Sequence, residues 1–186
     1  REILALRVPI SMVASESGYV RAKAANTNAT NKNVLWYVDD VTGATESVAD
    51  LVSINRYTGK LSAKRGITEQ IKVKVIAVPV DGSTEKTVEV TVYPPTTKVE
   101  IKQSGKVING TTVLTKLSGS TPSFSATANP SGACQTFKWT SSNKSVAEIN
   151  PETGVVTVKG VGKTVIKAAA LDGSGQYAKF TLRVTK

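Results

Sequence analysis

The chain has no histidine among its 186 residues. That removes the commonest general base and the commonest nitrogen ligand for a metal. It has a single cysteine, Cys134. One thiol excludes an intrachain disulfide, a Cys-His nucleophile, and a zinc site built from cysteines of this chain alone. Aromatic residues make up 5% of the composition. No run of 18 apolar residues occurs, so no segment reads as a membrane-spanning helix. A Gly-x-Ser-x-Gly elbow, a phosphate-binding loop and a dinucleotide fingerprint are all missing. With neither a nucleophile–base pair nor a cofactor motif, the sequence points away from an enzyme, and no cofactor is expected.

Acidic residues are scarce in the second half. The formal net charge is +10, and it is unevenly spread. Residues 1–94 hold 12 Lys and Arg against 10 Asp and Glu, whereas residues 95–186 hold 12 against 4. Two readings stand for the basic half. Lysines at alternate strand positions form an ordinary solvent face and discourage edge-to-edge pairing. Alternatively, they contact an acidic surface or polymer. A nucleic-acid module would show aromatics among the basic residues or a recognition helix, and neither is present. Lys167 lies opposite Ile166 and Ala168 in its strand, and Lys179 and Arg183 alternate with Phe180, Leu182 and Val184. If these two strands pair, the three charges form a patch for an anionic ligand, weak at physiological salt because water and ions screen it.

What is present is a repeat. "INRYTGKLSAKR" at 54–65 and "INPETGVVTVKG" at 149–160 share Ile-Asn-x-x-Thr-Gly. Each copy follows one of the two tryptophans, Trp36 and Trp139, and a Ser-Val-Ala triplet, 47–49 and 145–147. Each precedes an apolar strand, an Asp-Gly-Ser turn at 81–83 or 172–174, and a final alternating strand. The offset between copies drifts from 103 at the tryptophans to 95 at Gly59 and Gly154 and 91 at the Asp-Gly-Ser turns. Such drift marks loop insertions within a tandem duplication. About 90 residues per copy is too long for one solenoid repeat and suits a small sandwich.

Period-two alternation dominates. Ile71, Val73, Val75 and Ala77 face one way in "QIKVKVIAV"; Val88, Val90 and Val92 do so in "TVEVTVY". Turn signals such as Asn-Pro-Ser-Gly at 129–132 and Pro-Glu-Thr-Gly at 151–154 punctuate these runs. Short alternating strands with frequent turns predict antiparallel sandwiches. Both tryptophans fall among inward-facing residues and are expected to anchor a core. Gly59 and Gly154 suit left-handed turn positions that open the next strand. Pro94-Pro95 stops the sheet and predicts a boundary, with domains over 1–94 and 95–186 joined by a short semi-rigid spacer.

The stretch "WTSSNKSVAEINPETGVVTVKGVGKTVIKAAALDGSGQYAKFTLRV" resembles the bacterial immunoglobulin-like domain of group 2, the type repeated in intimin- and invasin-like adhesins. The resemblance rests on Trp-x-Ser-Ser-Asn, Ser-Val-Ala-x-Ile and Gly-x-Val-x-x-Lys-Gly-x-Gly, all within 139–184, with 97–138 as the first strands. Residues 1–94 match more loosely: "WYVDD" replaces Trp-x-Ser-Ser-Asn, and the Gly-x-Gly turn is missing. The resemblance implies an all-β fold of two tandem Ig-like sandwiches. It implies a non-enzymatic spacer pair in a bacterial cell-surface or secreted protein, part of a longer chain whose neighbouring domains are its first partners. A second class of reading makes the domains ligand-binding modules for an anionic glycan or host matrix. A third makes them accessory domains of a polysaccharide-degrading enzyme. Asp39 and Asp40 point to opposite faces if they lie on a strand; in a loop they could join Glu46 or Asp50 around calcium, although a solvated acidic loop explains them as well.

Overall fold

The computed structural model describes residues 3–7, 11–14, 17–24, 33–40, 50–115 and 122–186. Among these residues, all regular structure apart from one short helical turn at Asp50 is β-strand. The chain divides into two compact units, Arg1–Pro94 and Pro95–Lys186. Pro94 and Pro95 lie outside any strand.

In the first unit the strands are β1 (Ile3–Arg7), β2 (Ser11–Val13), β3 (Ser17–Tyr19), β4 (Arg21–Ala24), β5 (Val34–Asp40), β6 (Val52–Ile54), β7 (Lys60–Ala63), β8 (Ile71–Pro79) and β9 (Lys86–Tyr93). They form a four-stranded sheet in the order β2-β9-β8-β5, a three-stranded sheet β3-β7-β6, and the pair β1-β4. In the second unit they are β10 (Lys98–Gln103), β11 (Lys106–Val107), β12 (Thr111–Thr115), β13 (Ser125–Asn129), β14 (Phe137–Ser141), β15 (Ala147–Ile149), β16 (Val156–Val158), β17 (Gly162–Ala170) and β18 (Tyr177–Thr185). Here the sheets are β12-β18-β17-β14, β11-β10-β13 and β15-β16, with a Ser123–Val155 bridge leading from the β13 side to the β16 side. The same pairing scheme therefore occurs twice. In both units the short strand at one edge of the four-stranded sheet runs parallel to the last strand, and the other pairs in that sheet are antiparallel. These are immunoglobulin-like sandwiches; sandwiches were expected from the alternation and the turns, and the Ig-like type from the resemblance.

The alternation puts most of the anticipated residues inside, with Ile71 and Val88 partly buried against the core. Val73, Val75, Ala77, Val90 and Val92 are fully buried in the first core, with Trp36 and Leu61. In the second core, Ile166, Ala168, Phe180, Leu182 and Trp139 meet Ile101, Phe124, Ala147 and Val156 from the facing strands. Phe124 and Phe180 lie with ring centroids 4.8 Å apart, tilted by 48°, a favoured aromatic arrangement. β-Branched valines fill such half-buried strands because their stiff side chains pack well on a pleated surface.

The repeated Asn-x-x-Thr-Gly motif makes the same hydrogen bonds in both units. The side-chain oxygen of Asn55 accepts from the N–H groups of Tyr57 and Thr58, and that of Asn150 accepts from Glu152 and Thr153. The N–H of Trp36 donates to the carbonyl of Arg56, and that of Trp139 to the carbonyl of Pro151. Val20 N–H donates to Gly59 O, and Phe124 N–H to Gly154 O. The loop thus latches onto the tryptophan strand and the opposite strand together. Its glycine must have positive φ, 68° at Gly59 and 71° at Gly154, and must touch the indole. A Cβ on Gly154 would lie 2.6 Å from Phe124 O and 2.9 Å from the Trp139 ring.

The Ser141-Ser142-Asn143 turn satisfies backbone groups with its short polar side chains. Ser141 Oγ donates to Ala147 O, Ser142 Oγ accepts from Val165 N–H, and Asn143 Oδ1 accepts from Ser145 N–H. Its hub is Thr164, buried, whose Oγ1 accepts from Asn143 N–H and bonds Ser141 Oγ. Sequence reading missed Thr164, because a threonine in an alternating strand carries no sign of its partners.

Candidate functional site

The charged face of the second unit is built by the β17–β18 hairpin and the strands beside it. On β17, Ile166 and Ala168 are buried, so Lys163 and Lys167 project from the other side; on β18, Phe180, Leu182 and Val184 are buried, so Lys179 and Arg183 project likewise. Register places Lys167 directly opposite Lys179, and Lys163 directly opposite Arg183. Lys138 lies beside them on β14, flanking buried Trp139 and opposite Ala169. Lys167, Lys179 and Arg183 are thus brought onto one face, joined by Lys163 and Lys138, which sequence reading left out. Strand parity could have found both: Lys163 is four residues before Lys167, and Lys138 is adjacent to the buried tryptophan.

All five are cations, and no acid shares the face. The four acids of the unit are engaged elsewhere or lie in loops. Glu100 meets Lys98 at 2.7 Å and Glu148 meets Lys159 at 3.3 Å, both on the other sheets. Glu152 sits in the loop beneath Trp139, and Asp172 in the β17–β18 turn. Lys98 holds the Glu100 carboxyl below its usual value by a hydrogen bond and by its charge. Among the described residues, none of the five cations makes an ion pair. Lys167 instead places Nζ 4.1 Å from the ring centroid of Tyr177, a cation–π contact. Exposed Val113, Val165 and Tyr177 share the face.

Lys138, Lys163, Lys179 and Arg183 are exposed, as the solvent-face reading expected, but the edge-guarding part of that reading is corrected by the strand order. Lys163, Lys167, Lys179 and Arg183 stand on β17 and β18, the two central strands of their sheet, where there is no edge to protect. Of the five, only Lys138 lies on an edge strand. The equivalent face of the first unit is composed differently. There Lys74 lies between Asp39 and Glu89 in register, and Lys72 is 3.9 Å from Glu89.

Asp39 and Asp40 close strand β5, and Asp39 Oδ1 accepts from the Asp40 N–H. Glu46 lies outside the described residues, and Asp50 is exposed. Among the described residues no group of three acidic, histidine or cysteine side chains is positioned to hold a metal ion. Among them, too, no helix is long and apolar enough to cross a membrane.

Asp172 works within its own unit. Oδ2 accepts from Thr96 N–H at 2.9 Å, and Oδ1 accepts from Ser174 N–H at 3.0 Å. Burial opposes its ionisation, but the hydrogen bonds from Ser174 and Thr96 outweigh it and hold the carboxyl below the usual range. Its first-unit counterpart Asp81 accepts from Ser83 and is exposed.

Residues 108–180 match the family described as bacterial Ig-like domain (group 2), which bears out the resemblance read from 139–184. Among curated proteins no match is found. Among solved structures, a C-terminal 282-residue fragment of intimin in complex with the intimin-binding domain of the translocated intimin receptor is 20% identical, with a TM-score of 0.40. That alignment covers 98% of this chain, which spans 64% of the intimin fragment's length. An intimin mutant from EHEC O157:H7 is 26% identical over 46% of this chain and 42% of its own, with a TM-score of 0.31. Drosophila N-cadherin EC1-3 is 12% identical over 98% and 66%, with a TM-score of 0.39.

Proposed function

We propose that this chain is a non-enzymatic pair of Ig-like modules, a structural segment of a longer bacterial cell-surface or secreted protein of the adhesion type. On this reading residues 1–94 are a divergent copy of the group-2 domain in 95–186, and the nearest partners are further domains of the same polypeptide. The match over 108–180 supports the family side of the reading. The polar residues of the repeated motif, Asn55 and Asn150, and those of the Ser-Ser-Asn turn of the second unit, Ser141 and Thr164, support the non-enzymatic side, because they use their hydrogen bonds on the fold's own backbone and turns.

The observation that carries the proposal is the parallel pairing of β12 with β18, matched by β2 with β9. β12 follows only β10 and β11 in its unit and β18 is the last strand, so once β10 has peeled from β13 the load reaches the β12–β18 ladder. Tension applied through the chain ends pulls two parallel strands in opposite directions. The ladder bonds between them are then loaded in shear and must fail together, whereas an antiparallel hairpin pulled from its open end would unzip one bond at a time. A module so built resists extension, which suits a segment that holds other domains away from a surface.

Single-molecule stretching of the 186-residue chain tests this. Two discrete force peaks are expected, each releasing on the order of 300 Å of contour, since an extended residue spans about 3.3–3.6 Å. Smooth extension without peaks would remove the mechanical reading.

A further inference from the structure

We propose that the outer face of the β12-β18-β17-β14 sheet docks a linear sulfated polysaccharide. The argument begins from a cost within the fold. Like charges directly opposite on paired strands destabilise a sheet, yet this face holds two such pairs, Lys167 with Lys179 and Lys163 with Arg183. No carboxylate on the face offsets them, and the positions are central, so edge protection does not account for them. The equivalent face of the first unit, on the same pairing scheme, intersperses both signs. The fold therefore does not require the basic pattern; an anion resting on the face would.

The layout indicates which anion. Paired strands are about 4.8 Å apart and a strand rises about 3.4 Å per residue, so the two cation pairs are roughly 13 Å apart along the strands. Between them lies an uncharged row, Thr111, Thr181 and Val165, which the register places side by side. Tyr177 and Lys138 continue the face beyond the Lys167 pair, through Ala169. Cations separated by hydroxyl and apolar surface match a chain whose charged groups are spaced by sugar rings. Four of the five cations are lysines, point charges without the planar fork that grips a phosphate bidentately. Single-stranded nucleic acid would stack its bases on aromatic rings, and the one aromatic on this face already has Lys167 over its ring.

The test uses the whole chain with heparin as the probe, titrated at 50 and 150 mM salt. Three proteins are compared: wild type, the triple variant Lys163→Ala, Lys167→Ala, Lys179→Ala, and a control with the same charge loss away from the face, Lys64→Ala, Lys102→Ala, Lys106→Ala. The triple variant is expected to lose at least about tenfold in affinity at 50 mM salt, and the control less than about twofold. By counterion release, each lost contact should lower the slope of log K against log salt by about 0.7–0.9. Lys167→Glu alone gives a second readout. It turns a like pair into an opposite pair with Lys179, so it should raise Tm while weakening heparin, a combination misfolding cannot produce. Equal losses in triple variant and control, or no heparin binding at 50 mM salt, would overturn the proposal. So would tighter binding of a polyphosphate chain than of heparin at equal charge, which would reassign the face to a phosphate polymer.

Discussion

Gly154 is a residue where one added carbon does great harm. Its φ of 71° lies where an L side chain is strained, and a Cβ would enter the space of Phe124 O and the Trp139 indole. Gly175 has φ of 73° with nothing within 4 Å of such a Cβ, so it isolates the backbone cost. Gly175→Ala is expected to destabilise by about 1–2 kcal/mol. Gly154→Ala should add an overpacking cost of about 1–3 kcal/mol to that. Urea melts of the two variants check this, and equal losses would mean that the latch onto Trp139 contributes nothing. The glycine and its asparagine were legible in the sequence because the motif occurs twice at matching places. The indole contact was not, since spacing along the chain says nothing of which side chain lies across the sandwich.

The turn between β17 and β18 has its own prediction. Asp172 accepts from Thr96, 76 positions earlier, and from Ser174, and the pair of contacts fastens the first residues of the unit to its last hairpin. Asp172→Ala strands the buried Thr96 N–H and is expected to cost about 2–3 kcal/mol at neutral pH. The carboxyl titrates lower in the folded state than in the unfolded chain. Its contribution is therefore complete above the unfolded value near pH 4 and fades as pH falls through the lower folded value. The stability gap between wild type and variant should stay constant from pH 7 to about pH 4.5 and narrow below that; a gap that widens on acidification would contradict the assignment. At this scale the long strands β8, β9, β17 and β18 could be read directly from their alternation. The position of a lysine at the centre or edge of a sheet could not, because strand order depends on pairings across the chain. That is why the lysines of β17 and β18 were open to an edge-guarding reading. "RAKA" in β4 alternates too briefly to separate a strand from a loop.

At the scale of the whole molecule, the two units share one pairing scheme, and each is proposed to fold on its own. Each unit closes its own sheets and encloses its own apolar cluster, around Trp36 in one and Trp139 in the other. A core of this size in some 90 residues is enough for independent folding, though with little margin. The repeated order of motifs was visible in the sequence, while the charge contrast between the two equivalent faces emerged only once the register was known. The most direct test is calorimetry of the full chain beside residues 95–186 alone. The isolated unit is expected to melt cooperatively, with a Tm within a few degrees of one transition of the full chain. An isolated second unit that fails to fold would contradict this.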